Sequence, residues 1–408
     1  MDLIKHQTNE KLSNFIVFIM IYVSTETLLF GTNNNNMFLY FHYAVIIALF
    51  VFLLFLFLKK NKKIAFDRKT FSAYSALCFL SLITMLINKD VSFHYIYEII
   101  LLSIALLYTK IFSFDVFKKS FIKIILFLVK CSFLTFLLDL FFPQVLNFFP
   151  TLINKANIRF HFWPFGCAMY KTMYEPVRNW SIFREPGVFA IFIVLAILFI
   201  LLSCDKIKKN NSKDLFLLFL GLFTTFSTGG IISGVLLIVL YLLRDKINFR
   251  KFILAIIVIV SLFFLHNYTN FFHKVFGKLF TQNASMISRS ASIYSNLKVF
   301  SISPIFGIGF GKLDLFFQYF TVEKFNAIIS KSYANTNTFF RMLSTHGLFF
   351  FAIYFIGYYK FFVKNSKNRF TALLLYLILL LAFSNENLML NIVFPILLFY
   401  GYNIKSMC

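Results

Sequence analysis

Apolar positions along the chain gather into runs of about 17 to 25 residues, separated by short polar and basic stretches; at that length a helix spans a bilayer's hydrocarbon core. The runs predict spans near 12 to 30, 37 to 58, 71 to 88, 93 to 109, 120 to 141 and 185 to 203. The next apolar stretch, Asp214 to Leu243, has Lys206, Lys208, Lys209 and Lys213 before it and Arg244, Lys246, Arg250 and Lys251 after it. Basic residues on both flanks require an even number of crossings under the positive-inside rule. The stretch is therefore divided at Ser227-Thr228-Gly229-Gly230 into short helices near 215 to 227 and 230 to 243, which tilt little or sit in a thinned bilayer; one long tilted helix is the rival reading. Further spans fall near 252 to 268, 338 to 358, 370 to 385 and 388 to 403.

This pattern predicts an all-α polytopic membrane protein of about twelve transmembrane helices, forming a single integral membrane domain over residues 1–408. N and C termini are both expected on the cytoplasmic side. The four short outward turns hold only Lys89 as a basic residue, while the inward segments carry many. Two large outward loops, near 142–184 and 269–337, break the succession of spans and are where function is to be sought.

Composition agrees with this reading: 60% of the 408 residues are hydrophobic and the mean hydropathy is +0.79. The 62 Phe residues need no special role, because lipid-facing helices accept any large apolar side chain. The first apolar run lacks a small-residue cleavage site and reads as a span, not a cleaved signal. Cys78, Cys131, Cys167, Cys204 and Cys408 are scattered with no CxxC or Cys/His cluster, so neither a disulfide framework nor a metal site is indicated. Most of the formal +24 charge is an orientation signal and an affinity for anionic membrane lipid; no nucleic acid partner is expected.

The outward loops are themselves basic. The first carries Lys155, Arg159, Lys171, Arg178 and Arg184 against Glu175, with Glu185 at the membrane boundary. In the second, Lys274, Lys278, Arg289, Lys298, Lys312, Lys324 and Lys331 face Asp314 and Glu323, and Arg341 lies just inside the next span. Guanidinium groups concentrated beside a membrane suit a membrane-tethered anion such as a lipid diphosphate. The aromatic run Phe160 to Phe165 can lie in the interfacial belt or form a sugar-stacking wall, and its depth favours the belt. At Arg184-Glu185-Pro186-Gly187 the first loop turns into a helix, with Pro186 in the first turn, where its missing N–H is not needed. The free amides and positive dipole end there would favour an anion. The plainer alternative has Glu185 complementing the dipole and Arg184 pairing with lipid phosphate.

Several segments, in order, resemble the superfamily of O-antigen polymerases (Wzy-type) and O-antigen ligases. NWSIFREPGVFA (179 to 190) is similar to that family's Arg/Glu-Pro segment opening a span, and FTTFSTGGIISG (223 to 234) to its short Ser/Gly hairpin. MISRSASIYSNLKVFSISPIFGIGFG (286 to 311) resembles its periplasmic Arg followed by a Pro-x-x-Gly-x-Gly turn, and NTNTFFRMLSTHGLFFF (335 to 351) its Asn-containing helix ending in Gly. The resemblance implies a GT-C type integral-membrane glycosyltransferase, multi-pass in the bacterial inner membrane. Such an enzyme transfers undecaprenyl-diphosphate-linked glycan on the periplasmic side without metal or other cofactor, and can have a chain-length regulator protein as a partner. Polymerases extend the glycan; ligases move it to lipid A core. Thr336-Asn337 stands where ligases carry His-Asn, and Thr228-Gly229-Gly230 lacks the Arg often found in the hairpin. Both departures favour polymerase over ligase.

In a polymerase, an acceptor hydroxyl attacks the anomeric carbon of a second lipid-linked glycan and expels undecaprenyl diphosphate. Positioning and neutralisation of the leaving charge carry most of that chemistry. Arg184 and Arg289 are the expected diphosphate ligands and Glu185 the expected base, with Arg159, Arg178, Asn337, Arg341 and His346 as substrate-binding candidates. Glu323, His273 and His346 are alternative bases, and Asp139 and Glu26 lie where they can line the same cavity. The two loops are expected to form two halves of one site. A flippase or transporter of lipid-linked glycan is the non-enzyme rival, against which stand the unequal loops and the lack of an internal repeat.

Overall fold

The computed structural model of the chain describes residues 2–60, 67–170, 177–202, 209–243, 284–325 and 335–403. The expected span near 252 to 268 and the candidate His273 lie outside the described residues. The described chain is mostly helix, in two compact units. Met1–Lys63, Leu107–Leu237 and Asn391–Val393 form the first; Ile64–Leu106, Ile238–Leu390 and Phe394–Cys408 form the second. Among the described residues, five helices are long and apolar enough to cross a membrane: Asn36–Lys59, Arg68–Ile87, His94–Ile111, Phe114–Phe141 and Thr338–Asn365. Shorter apolar helices occupy Pro186–Leu201, Thr228–Leu242, Arg369–Phe383 and Val393–Tyr402. The chain is a polytopic helical membrane protein.

In the first unit, Pro186–Leu201 is apolar on every side and buried along nearly its whole length, as expected of a helix with no polar face to offer a boundary. It packs with Phe114–Phe141 and Lys209–Thr224 around an aromatic core, and Asp2–Tyr22 packs in turn on Phe114–Phe141. Phe199 meets Phe121 at 5.1 Å and Phe117 at 5.8 Å between ring centroids, and Phe121 stacks on Phe192 at 6.1 Å. Two helices, Lys209–Thr224 and Thr228–Leu243, stand where the sequence offered a hairpin or one tilted span. Leu222 lies against both Gly230 and Gly234, so the second helix folds back along the first.

Two features of this unit differ from expectation. The helix begun at Asp2 ends at Tyr22, short of the expected span end near residue 30, and a π-helical turn follows at Leu28–Thr32. Local side chains compete for the backbone here: Thr27 Oγ1 donates to the Ser24 carbonyl at 2.9 Å, and Ser24 Oγ accepts from the Glu26 amide at 3.3 Å. The chain pairs instead with a distant segment, the Leu28 amide donating to the Ile182 carbonyl at 2.9 Å. Within the expected first loop, β1 (Thr151–Ile153), β2 (Arg159–Trp163) and β3 (Gly166–Met169) form an antiparallel meander, Leu152 opposite Phe160 and Phe162 opposite Cys167. Phe160 and Cys167 pack on Leu28, and Trp163 Nε1 donates to Thr135 Oγ1 at 2.7 Å, docking the sheet on Phe114–Phe141.

In the second unit, Thr338–Asn365 packs against Arg68–Ile87, Ala284–Ile302 and Arg369–Phe383. The expected second loop contains two helices, Ala284–Ile302 and Phe310–Phe325. Between them runs the Pro304 to Gly311 turn, and it closes on an interruption in Thr338–Asn365 at Gly347, whose φ is +79°. The Ile308 and Gly309 amides donate to the Ser344 and Thr345 carbonyls at 3.0 Å each, and the Leu348 amide donates to the Pro304 carbonyl at 2.8 Å. On the turn's other side, Thr84 Oγ1 donates to the Phe306 carbonyl at 2.8 Å and Asn88 Nδ2 to that of Gly307 at 3.1 Å. Asp90 Oδ2 accepts from the Gly311 amide at 2.7 Å, at the start of the Phe310–Phe325 helix.

Gly307 and Gly347 both have positive φ, and a Cβ on either would overlap backbone of the other segment: Thr345 and His346 for Gly307, Ile305 and Phe306 for Gly347. Gly307→Ala and Gly347→Ala are each expected to cost about 2–5 kcal/mol, combining left-handed strain with overlap against fixed backbone. Thermal unfolding of the purified variants in detergent checks this; midpoints equal to wild type would show that the junction yields.

Candidate functional site

In the first unit the segment 177–185 brings several candidates to the mouth of the Pro186–Leu201 helix. Pro186 occupies the first turn, and Glu185, at the cap position, is extended and makes no side-chain cap bond. Thr27 and Phe183 form an antiparallel bridge, and the Arg184 amide donates to the Glu26 carbonyl at 2.9 Å. The same two residues join through their side chains: Arg184 Nε donates to Glu26 Oε2 at 2.9 Å, and Arg184 Nη1 lies 3.4 Å from Glu185 Oε1. Side-chain exposures fall in the order Glu26 6%, Arg184 15% and Glu185 38%, so one carboxylate is inside and one faces outward.

Arg178 serves the hairpin. Its Nε donates to the Thr225 carbonyl at 3.2 Å and its Nη2 to that of Phe226 at 3.3 Å, where the Lys209–Thr224 helix ends. Asn179 Nδ2 reinforces the same turn by donating to Thr224 Oγ1 at 3.0 Å. Arg159, exposed on β2, lies over the Tyr170 ring at 5.9 Å, and His161 faces the same ring at 5.3 Å. Burial pushes the His161 imidazole below its ordinary pKa, with the negative charge of Asp139 opposing.

The second unit holds the other candidates. Arg289 and Arg341, both half-buried, ride on Ala284–Ile302 and Thr338–Asn365. A buried amide and hydroxyl network links these helices: Asn296 Nδ2 donates to Asn335 Oδ1 at 2.8 Å, Ser292 Oγ to the same oxygen at 3.1 Å, and Ser344 Oγ to Asn296 Oδ1 at 2.8 Å. Arg289 precedes Ser292 and Asn296 by three and seven residues, so it shares their helical face. Asn337 caps Thr338–Asn365, its Oδ1 accepting from the Phe339 and Phe340 amides at 3.1 and 3.0 Å. His346, at the helix interruption, is 0% exposed and stacks on Phe350 at 4.1 Å. Its Nε2 is 3.1 Å from Glu98 Oε1, although neither ring nitrogen is aligned for a hydrogen bond; Glu98 Oε2 accepts from Ser81 Oγ at 2.8 Å. Glu323 is exposed on Phe310–Phe325.

The structure thus brings Arg184, Glu185 and Glu26 together, and sets Arg289 and Arg341 on two linked helices. Glu98 is not among the residues expected from the sequence, and its signal there is a lone carboxylate inside YIYEIILLSIALL, the kind of intramembrane ionisable group that marks functional sites. Among the described residues no three His, Cys, Asp or Glu side chains gather as a metal site would need.

Apolar helices with arginine and carboxylate groups at their interruptions define an integral membrane protein whose polar groups sit where the helices break. Residues 215–355, about a third of the chain, match the family model described as O-antigen ligase. The match supports the O-antigen ligase and polymerase superfamily, whose members are glycosyltransferase-like enzymes, without separating the two activities. It takes in most of the hairpin, the Pro304 to Gly311 turn and the first part of the helix capped by Asn337, but not the Arg184 segment. Neither a curated protein nor a solved structure matches the chain.

Asn337 Nδ2 also donates to the Ser384 carbonyl at 3.3 Å; Asn337→Ala should therefore lower stability by about 1 kcal/mol or more, while Asn337→Asp, which accepts the same amide bonds but loses that donor, should keep only the cap's share. Thermal midpoints in detergent compare them; equal losses from both substitutions would argue that the side chain is needed for something other than capping.

Proposed function

We propose that this protein is an O-antigen polymerase that joins undecaprenyl-diphosphate-linked repeat units at the periplasmic face of the inner membrane. The observation carrying this reading is the arginine held between two carboxylates at the mouth of the Pro186 helix, one of them facing outward. The acceptor sugar's hydroxyl attacks the anomeric carbon of the donor, the bond from that carbon to the diphosphate oxygen breaks, and the hydroxyl proton passes to a base. Glu185 is the carboxylate we assign as base, and Arg184 is assigned to the leaving diphosphate, whose charge grows as the bond lengthens. Free amides at the start of the Pro186 helix favour negative charge at the same place.

Taken by itself, the second unit offers Arg289, which we assign to recognition of a lipid diphosphate, a claim tested by its own substitution. Arg159, Arg178, Asn337, Arg341 and His346 are proposed to touch or support bound glycan, with Arg178 and Asn337 acting through the turn and cap they hold. Partners on this reading are donor and acceptor lipid-linked glycans, membrane lipid and a chain-length regulator protein.

Ligation to lipid A core is the second reading, favoured by the description of the matching family. Thr336 in place of the ligase histidine weighs against it.

In a strain lacking the endogenous gene, complementation with Arg184→Ala or Arg289→Ala is expected to give normal protein levels but glycan of a single repeat unit in place of a ladder on silver-stained gels. Normal ladders from both variants would overturn the assignment, and long polymer left unattached to lipid A core would point to the ligase.

A further inference from the structure

Glu26 is fixed before it meets Arg184. It sits in the irregular segment after Asp2–Tyr22, its amide bound by Ser24 Oγ at 3.3 Å and its Oε1 approached by Thr25 Oγ1 at 3.4 Å. Its carbonyl and its carboxylate then both engage the same residue, through the Arg184 amide and the Arg184 Nε, each at 2.9 Å. Two attachments on one residue leave an arginine few rotamers, although it is otherwise among the more mobile side chains. Nε is held by Glu26, and Nη1 is the guanidinium nitrogen beside Glu185.

The two carboxylates are differently placed for work. Glu26, nearly enclosed, compensates a guanidinium that would be costly to bury alone. Glu185 lies at the exposed end of the cluster, beside the helix mouth. We propose that Glu26 is a positioning residue: it holds the Arg184 guanidinium at the mouth of the Pro186 helix, so that the arginine meets an anionic diphosphate in one orientation while Glu185 remains available to the reacting hydroxyl. This inference rests on the reading of Arg184 as a ligand of the leaving diphosphate.

The test is a double-mutant cycle on the full-length protein in lipid nanodiscs, with lipid-linked repeat unit as substrate: wild type, Glu26→Gln, Arg184→Gln and the double variant. Turnover per folded molecule and KM are read for each. Glu26→Gln is expected to lower kcat about tenfold to a hundredfold, the usual cost of loosening a supporting or positioning contact, with a smaller change in KM. The double variant should be no slower than Arg184→Gln alone, because a residue acting through Arg184 has nothing left to position. Glu26→Asp, which keeps the charge on a shorter arm, should recover part of the loss.

Full turnover by Glu26→Gln, losses that multiply in the double variant, or a fall in thermal midpoint with unchanged kcat would overturn the proposal. Should Glu26→Gln fail to accumulate, Glu26→Asp replaces it in the cycle under the same outcomes. Failure of the functional reading looks different. Wild-type protein that polymerises nothing but transfers glycan to lipid A core removes the polymerase assignment, and the same cycle run on that transfer still judges Glu26. Wild-type protein inactive in both assays overturns both.

Discussion

A chain that leaves the helix inside a membrane protein must find partners for every amide and carbonyl it frees, because neither packed protein nor hydrocarbon offers water to take them up. That requirement shapes each interruption here. At Gly347 the freed groups of Thr338–Asn365 are met by the Pro304 to Gly311 turn, which takes up the carbonyls of Ser344 and Thr345 and returns one of its own to Leu348. At the hairpin, Arg178 and Asn179 meet the carbonyls and hydroxyl left by the end of Lys209–Thr224. Beyond Tyr22, the 24–28 segment is met by 182–184. Irregular backbone is tolerated because distant chain has been brought to it, and the same contacts bring polar side chains inside. Arg178, Arg184 and His346 all stand at or beside such a junction.

Much of the helical framework was legible from apolar run length and basic flanks, since both report directly on transfer into hydrocarbon. The hairpin was legible for the same reason: lysines before 214 and arginines after 243 force the chain to return. Helices Ala284–Ile302 and Phe310–Phe325 look like loop in the hydropathy pattern, because serine, asparagine and lysine interrupt their apolar runs. The sheet at 151–169 was hidden by strands of three to five residues, and its aromatic β2 reads as an interfacial belt. The end of the first helix was missed because the deciding bonds are local ones from Ser24 and Thr27, which a hydropathy pattern does not register. Arg184, Glu185 and Glu26 were each visible as candidates, but nothing in sequence separation announces a pair 158 residues apart.

Arg178 and Arg184 lie in one short segment and show how far the use of a residue depends on its partner. Arg178 donates to the carbonyls of a turn. Those acceptors are fixed in backbone, and withdrawing the guanidinium would take a donor from each of them, which ties the arginine to the hairpin. Arg184 donates to carboxylates on side chains. A phosphate, though tetrahedral, can present two oxygens to a guanidinium and accept the same charge-assisted bidentate pair as a carboxylate, so an anion at the helix mouth can share the guanidinium with Glu185 or take its place. The contact to the exposed Glu185, at 3.4 Å, is the longer of the two and the one an incoming anion would disturb first. The contact to Glu26, at 2.9 Å and enclosed, is the one that would persist and keep the guanidinium aimed. The difference between a structural arginine and a working one is then set by the exchangeability of its acceptors, and the Glu185 carboxylate beside Arg184 is an acceptor that both faces outward and resembles the charge of a leaving diphosphate.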